Sequence, residues 1–203
     1  MKLSDIEFRA MQSWWRRWGQ KHFELPSFRK MGLEVEGKDV LEIGCGSGYG
    51  VFLLKQLKPK SYIGLDLMEE QIELARRKYP QFQFLLQDAT DLSGFGKESK
   101  DIVIIFGVLH HIPEWRSTID EIIRILRPAG SLFLDEPRGH DIKMFDFIFR
   151  WGHPKSDFGL NALERRLESR GMRIVRKKWT PLLTMYRAEK QDVSFIIPPT
   201  KSE

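Results

Sequence analysis

The chain of 203 residues sets 33 Lys and Arg against 28 Asp and Glu, a formal net charge of +5, and is 41% hydrophobic. That mixture excludes a disordered chain and gives a sizeable core for one domain, residues 1–203, with modest extensions. A lone cysteine, Cys45, excludes an internal disulfide and a cysteine-rich zinc cluster. No apolar run approaches the roughly 18 residues of a membrane span, and the start MKLSDIEFRAMQ has acids where a signal peptide is apolar. A cytoplasmic protein is expected.

Ser4 and Glu7 form a capping-box pair, and helical spacing then gathers Phe8, Met11, Trp14, Trp15 and Trp18 on a stripe opposite Arg9, Arg16 and Gln20. An amphipathic N-terminal helix follows, packed by that stripe over the domain, with a break near Leu25-Pro26 and a cap reaching residue 30. A bilayer surface is the competing partner for the Trp face. Beyond it strands and helices alternate: strand 39–43, helix 48–57, strand 61–66, helix 69–78, strand 82–86. Ile102 to Phe106 is a continuous apolar run, as in a strand covered on both faces. Trp115, Ile119, Ile122, Ile123 and Leu126 give the next helix an inner stripe, and a fifth strand runs from Ser131 to Asp135. This order predicts an α/β fold, an open parallel sheet with helices on both sides. Residues 138–156 are crowded with aromatics and interrupt the pattern as a lid-like insertion. A helix over 157–170 and two strands, 172–178 and 182–189, pair antiparallel at a sheet edge and complete a C-terminal unit ending near 197.

Such a sheet binds ligands beyond the carboxyl ends of its strands. In VLEIGCGSGYG the glycines Gly44, Gly46 and Gly48 let the backbone approach a ligand closely. A dinucleotide fingerprint would need G-x-G-x-x-G, but counting from Gly44 its last position is Tyr49, which argues against a pyrophosphate and an NAD-dependent oxidoreductase. Asp66 ends the second strand about 20 residues beyond the turn, where a carboxylate accepts from ribose hydroxyls. Asp88, beside the Ala89 N–H, is suited to adenine polar atoms. Each acid has a plainer reading, Asp66 as a helix cap and Asp88 serving its own turn.

The successive stretches VLEIGCGSG, YIGLDL, FLLQDA, DIVIIFGVLHHI and ILRPAGSLFLDEP, covering residues 37–137, resemble the motifs of class I S-adenosylmethionine-dependent methyltransferases, in particular the ubiquinone-biosynthesis-like type 11 group. The resemblance implies a Rossmann-like, doubly wound, three-layer α/β/α fold with a seven-stranded, mostly parallel sheet whose last strand inserts antiparallel. It implies S-adenosylmethionine as cofactor, with S-adenosylhomocysteine as product. Gly44, Cys45, Gly46 and Ser47 would line the methionine portion, Asp66 the ribose, Leu67 and Met68 the adenine edge, and Asp88 with Ala89 the adenine polar atoms. Phe106 and Gly107 would meet the amino-acid end.

Cys45 is explained by space alone as a small side chain inside a glycine turn. His111 is a candidate general base, set against the frequency of a His pair after the fourth strand of this family whatever the substrate. No metal site is expected, because adjacent histidines point apart and no carboxylate pair stands nearby in sequence. A sulfonium already makes its methyl carbon electrophilic, so the protein has mainly to align a nucleophile and exclude water. Trp14, Trp15, Phe145, Phe149 and Trp151 are candidates for that cover. Lacking the Asn/Asp-Pro-Pro-aromatic signature of nucleobase amino methylation, the chain is expected to act on a small organic acceptor and not on nucleic acid. A noncatalytic module of the same fold remains the alternative.

Overall fold

The computed structural model describes residues 13–137, 157–180 and 182–192. Seven strands form one sheet in the order β3-β2-β1-β4-β5-β7-β6. They are β1 Asp39–Ile43, β2 Ser61–Asp66, β3 Gln83–Leu86, β4 Lys100–Phe106, β5 Leu126–Pro137, β6 Met172–Trp179 and β7 Leu183–Lys190. The first five pair in parallel, β7 inserts antiparallel beside β5, and β6 pairs antiparallel with β7 at the edge. The sheet therefore has the Rossmann-like arrangement expected of the family, including the inserted antiparallel strand.

Among the described residues the α-helices are α1 Trp14–Gly19, α2 Leu25–Lys30, α3 Tyr49–Leu54, α4 Glu69–Lys78, α5 Trp115–Ile125 and α6 Leu160–Ser169. Alternate strand residues feed two cores. Leu41, Ile43, Val103 and Ile105 meet Trp115, Ile119 and Ile122 of α5 and Leu163 and Leu167 of α6. Val40, Ile102 and Ile104 meet Phe28 of α2, Val51 and Leu54 of α3, and Ile72 and Ala75 of α4. β4 is apolar throughout its last five residues because both faces are covered. In α4, Glu69 and Glu70 stand in the first turn and Arg76, Arg77 and Lys78 in the last, which complements the helix dipole.

The N-terminal segment departs from expectation twice. No break occurs at Leu25-Pro26: α1 runs through a π-helical turn, Gln20–Glu24, directly into α2, and Pro26 follows that turn, whose wider winding accommodates a residue that cannot donate a backbone hydrogen bond. The polarity of α1 is also inverted. Trp14, Trp15 and Trp18 are 78%, 50% and 59% exposed, whereas the Arg16 side chain is 14% exposed and pairs with buried Glu24. The helix does lie over the sheet's carboxyl edge, but an ionic group anchors it there in place of the Trp stripe. The capping pair Ser4/Glu7, with Phe8 and Met11, and the insertion 138–156 with Phe145, Phe149 and Trp151, lie outside the described residues.

Candidate functional site

The β1–α3 turn is built by backbone geometry. Gly44 and Gly46 have φ of +71° and +50°, and the Gly44 and Cys45 N–H groups both donate to the Leu65 carbonyl of β2. Asp66 at the end of β2 ties the turn down: one carboxylate oxygen accepts from Gly46 N–H at 2.9 Å and the other from Met68 N–H at 2.9 Å. Burial pushes the Asp66 carboxyl up, and the backbone donors pull against that shift. Asp66 does not cap the following helix, whose first residue is Glu69; it closes the turn before it, while each oxygen keeps a further lone pair for a ligand.

Beyond the carboxyl ends of β1, β2 and β4 opens a cavity of about 240 Å³. Gly44, Gly46, Asp66, Leu67, Met68, Asp88, Ala89 and His111 all contribute to its wall, with Ile43, Leu65, Val108, Ile112 and Pro113 supplying apolar surface. Asp88 sits exposed at the rim, where one oxygen accepts from the Thr90 N–H and hydroxyl, both at 2.8 Å. Four residues expected in the same site are not part of that wall. Cys45 turns its thiol away from the cavity, so that a Cβ on Gly64 would lie 2.9 Å from it. Burial pushes that thiol well up from its ordinary value, consistent with an inert packing role. Ser47 is buried, Phe106 belongs to the core, and Gly107 lies next to Arg16 and Asp135.

The histidines do not point apart; their rings lie 4.0 Å apart at 39°. His110 is buried with Nδ1 2.6 Å from Glu136, which also accepts the Leu109 N–H at 2.7 Å. His111 faces the cavity. Glu136 thus orients the turn that presents His111. Among the described residues, no group of three or more His, Cys, Asp or Glu is placed to hold a metal ion.

Several residues of this region were not singled out from the sequence. Glu42 is buried in β1 and accepts from the Tyr62 hydroxyl; burial pushes its carboxyl up to about 8. Gln71 Oε1 is a buried acceptor on the cavity wall with no donor among the described residues. Arg16, Glu24, Asp135 and Glu136 cluster at the ends of β4 and β5. The available signal was an acid inside an apolar strand, as in VLEIG and LFLDEP.

The wall fits an adenosyl group: it offers backbone at positive φ, a carboxylate hydrogen-bonded to the turn, an orphaned acceptor at Gln71 and apolar surface. Comparison with known proteins agrees. Residues 41–134 match the family model described as a methyltransferase domain. Phthiotriol/phenolphthiotriol dimycocerosates methyltransferase 1 of Mycobacterium ulcerans is 38% identical over 137 residues, covering 66% of this chain and 48% of that protein. A fatty-acid O-methyltransferase of Mycolicibacterium smegmatis is 34% identical over 137 residues, covering 66% of this chain and 47% of that protein. The chain thus spans about half the length of these curated relatives. Among solved structures, an S-adenosylmethionine-dependent methyltransferase from Mesorhizobium loti aligns with a TM-score of 0.73 at 17% identity, covering 82% of this chain and 97% of that one. Another from Aquifex aeolicus aligns with a TM-score of 0.71 at 17% identity, covering 93% and 99%. Fold, turn and family model converge on one likeness: residues 41–134 are similar to a methyltransferase domain, carried on a sheet shared with S-adenosylmethionine-dependent methyltransferases of known structure.

Proposed function

We propose that the chain, working as a single methyltransferase unit in the cytoplasm, transfers a methyl group from S-adenosylmethionine to a small, largely apolar organic acceptor by in-line displacement. The observation that carries this reading is the cavity at the ends of β1, β2 and β4, with the glycine turn, Asp66 and Asp88 on one wall. When bound, the cofactor supplies the electrophilic methyl carbon. The protein's part is to hold and to exclude water. Asp66 holds the ribose, Leu67 and Met68 bracket the adenine edge, and Asp88 with the Ala89 N–H takes its polar atoms. Gly44 and Gly46 give backbone access to the methionine arm; Cys45 and Ser47 contribute through main chain, and Phe106 and Gly107 stand at the amino-acid end. His111 takes a proton from an acceptor hydroxyl, a role supported by its position on the cavity wall. The names of the relatives, a phthiotriol dimycocerosates methyltransferase and a fatty-acid O-methyltransferase, support an apolar acceptor.

Calorimetric titration with S-adenosylhomocysteine, with NAD in parallel, tests the cofactor. Saturable binding of the homocysteine compound and none of NAD is expected, with Asp66→Ala weakening it at least tenfold. A folded protein that binds neither would sink the reading. A noncatalytic module would bind the cofactor equally well and methylate no member of an acceptor panel of hydroxy and carboxylic lipids.

A second reading concerns where the acceptor is met. The exposed Trp14, Trp15 and Trp18 favour peripheral contact of α1 with a membrane surface. No helix among the described residues is long and apolar enough to cross a membrane, so contact of this kind would be from one side.

A further inference from the structure

Two carboxyl groups face each other where the N-terminal segment meets the sheet. Glu24, in the π-helical turn Gln20–Glu24, and Asp135, near the end of β5, are both buried, and their side chains are hydrogen-bonded to one another. Carboxylates only accept, so this bond needs a proton on one of the two. Arg16 decides which: its Nη1 pairs with Glu24, which is thereby the ionised member, and Asp135 keeps the proton and donates it. Burial pushes both carboxyls up; Arg16 pulls Glu24 back, whereas the facing Glu24 pushes Asp135 further. Across the ladders Asp135 stands between Phe106 of β4 and Met185 of β7, both buried and apolar. The other charged groups give no relief. Glu42 of β1 and Glu136 of β5 are themselves buried carboxyls, the second engaged with His110. Lys21 and His22 of the π turn are exposed, and Lys178 of β6 donates to Ser27.

Loss of the shared proton sets two carboxylates against one guanidinium in an apolar enclosure. Like charges held together away from water are strongly unfavourable, and moving one of them into solvent relieves them. Asp135 is fixed, because β5 is bonded along both edges, to β4 and to β7. Glu24 is not. It lies in a five-residue π turn, a rare winding, between α1 and α2 of six residues each, which are too short to hold without tertiary contacts. We propose that Glu24 and Asp135, with Arg16, form a proton-operated latch for the N-terminal segment. With the proton in place, α1 and the π turn are seated on the carboxyl edge of the sheet; when it leaves, Glu24 turns out to solvent with Arg16 and the segment lifts. The seated state binds a proton that the lifted state releases. Seating is therefore complete at and below the ordinary carboxylate range and is lost as pH rises through the raised value. The latch is independent of what the cavity binds, and it places the exposed Trp residues of α1 under the control of pH.

Hydrogen–deuterium exchange of the full chain, corrected for the intrinsic rate at each pH, reads the seating directly. Between pH 6 and pH 9 the protection of residues 14–30 is expected to fall by about tenfold or more, while β1 and β4 keep theirs. Asp135→Asn and Glu24→Gln each retain a donor at the junction, and each removes one of the two facing carboxyls. Either variant, shown folded by its thermal midpoint at pH 6, is expected to hold the protection of 14–30 within about twofold over the same range. No fall in the wild type overturns the latch whatever the variants do. A fall that persists in a folded variant also overturns it and assigns the change to Glu42 or Glu136. Loss of protection in β1 and β4 in step with 14–30 is general loosening and counts equally against it.

Discussion

Glu42 shows how one buried side chain sets a property of the whole protein. Its carboxyl is desolvated in β1, which raises its folded value to about 8; the Tyr62 hydroxyl opposes the shift and Asp66 adds to it. Glu136 is pushed up to about 8 by burial in the same way. Each folded value lies above the unfolded one, so between the ordinary carboxylate range and pH 8 the native state holds protons that the unfolded chain releases. Stability from these groups is complete at the acid end of that window and is lost as pH rises through about 8. Asp39 acts oppositely: its hydrogen bond from Ser61 helps hold it down to about 2, so its contribution is present above its ordinary value and lost only in strong acid. The thermal midpoint is therefore expected to fall from pH 5 to pH 8.5. Glu42→Gln should flatten that fall and be more stable than wild type at pH 8.5, by on the order of 2 kcal/mol. A calorimetric scan at the two pH values decides it, and equal slopes for both proteins would refute the assignment.

At the scale of elements, α3 lies so close to β1 that Glu42 occupies the space a side chain at Gly50 would need. A Cβ there would stand 1.9 Å from Glu42 Oε2 and 2.3 Å from its Cδ. Glu42 is buried and tied to Tyr62, so it has nowhere to swing. Gly50→Ala gains about 1 kcal/mol of helix propensity but meets an overpacking penalty of about 1–3 kcal/mol, made larger by moving a buried acid. A lower urea midpoint is expected for Gly50→Ala, while Gly94→Ala, with nothing within 4 Å, should match wild type. An unchanged Gly50→Ala midpoint would mean that Glu42 is free to move. These contacts also mark what was legible in the sequence. Periodicity placed β1, β2 and α4 at their observed limits, because each is a regular element whose buried face repeats. Backbone demands likewise made the glycine turn and Asp66 readable. The inversion of α1 was not, because hydrophobic periodicity assumes that the apolar stripe faces inward, whereas at that edge Arg16 turns inward to meet buried Glu24. Cys45 and Ser47 illustrate the same limit: position in a ligand-binding turn does not decide whether a side chain points to the ligand or to the sheet.

Across the whole molecule, strand direction gathers the exposed aromatics at one edge. β5 and β6 both run toward the carboxyl ends of β1, β2 and β4, since each is antiparallel to β7. Trp179, at the end of β6, and Leu182, just past it, are 67% and 61% exposed, and α1 lays Trp14, Trp15 and Trp18 over the same edge. Lys178 fastens the two parts, sitting 4.9 Å from the Phe23 ring and donating to Ser27 Oγ at 2.8 Å. From Ser13 to Lys30 the charges outside the buried Arg16–Glu24 pair are Arg17, Lys21, Arg29 and Lys30, all basic. Indole rings favour the headgroup level of a bilayer, and cations add attraction to anionic lipid that salt screens. If α1 contacts a bilayer, the protein should float with vesicles containing anionic phospholipid more than with neutral ones, and less so at high salt. The triple variant Trp14→Ala, Trp15→Ala, Trp18→Ala should lose most of that flotation while binding S-adenosylhomocysteine with wild-type affinity, because the Trp side chains face away from Arg16 and the cavity. Equal recovery of wild type and variant, or none of either, would count against a bilayer and leave the rim as a surface for soluble acceptors. Loss of cofactor affinity in the variant would show instead that the Trp residues hold α1 in place, and that the helix is seated from both of its faces.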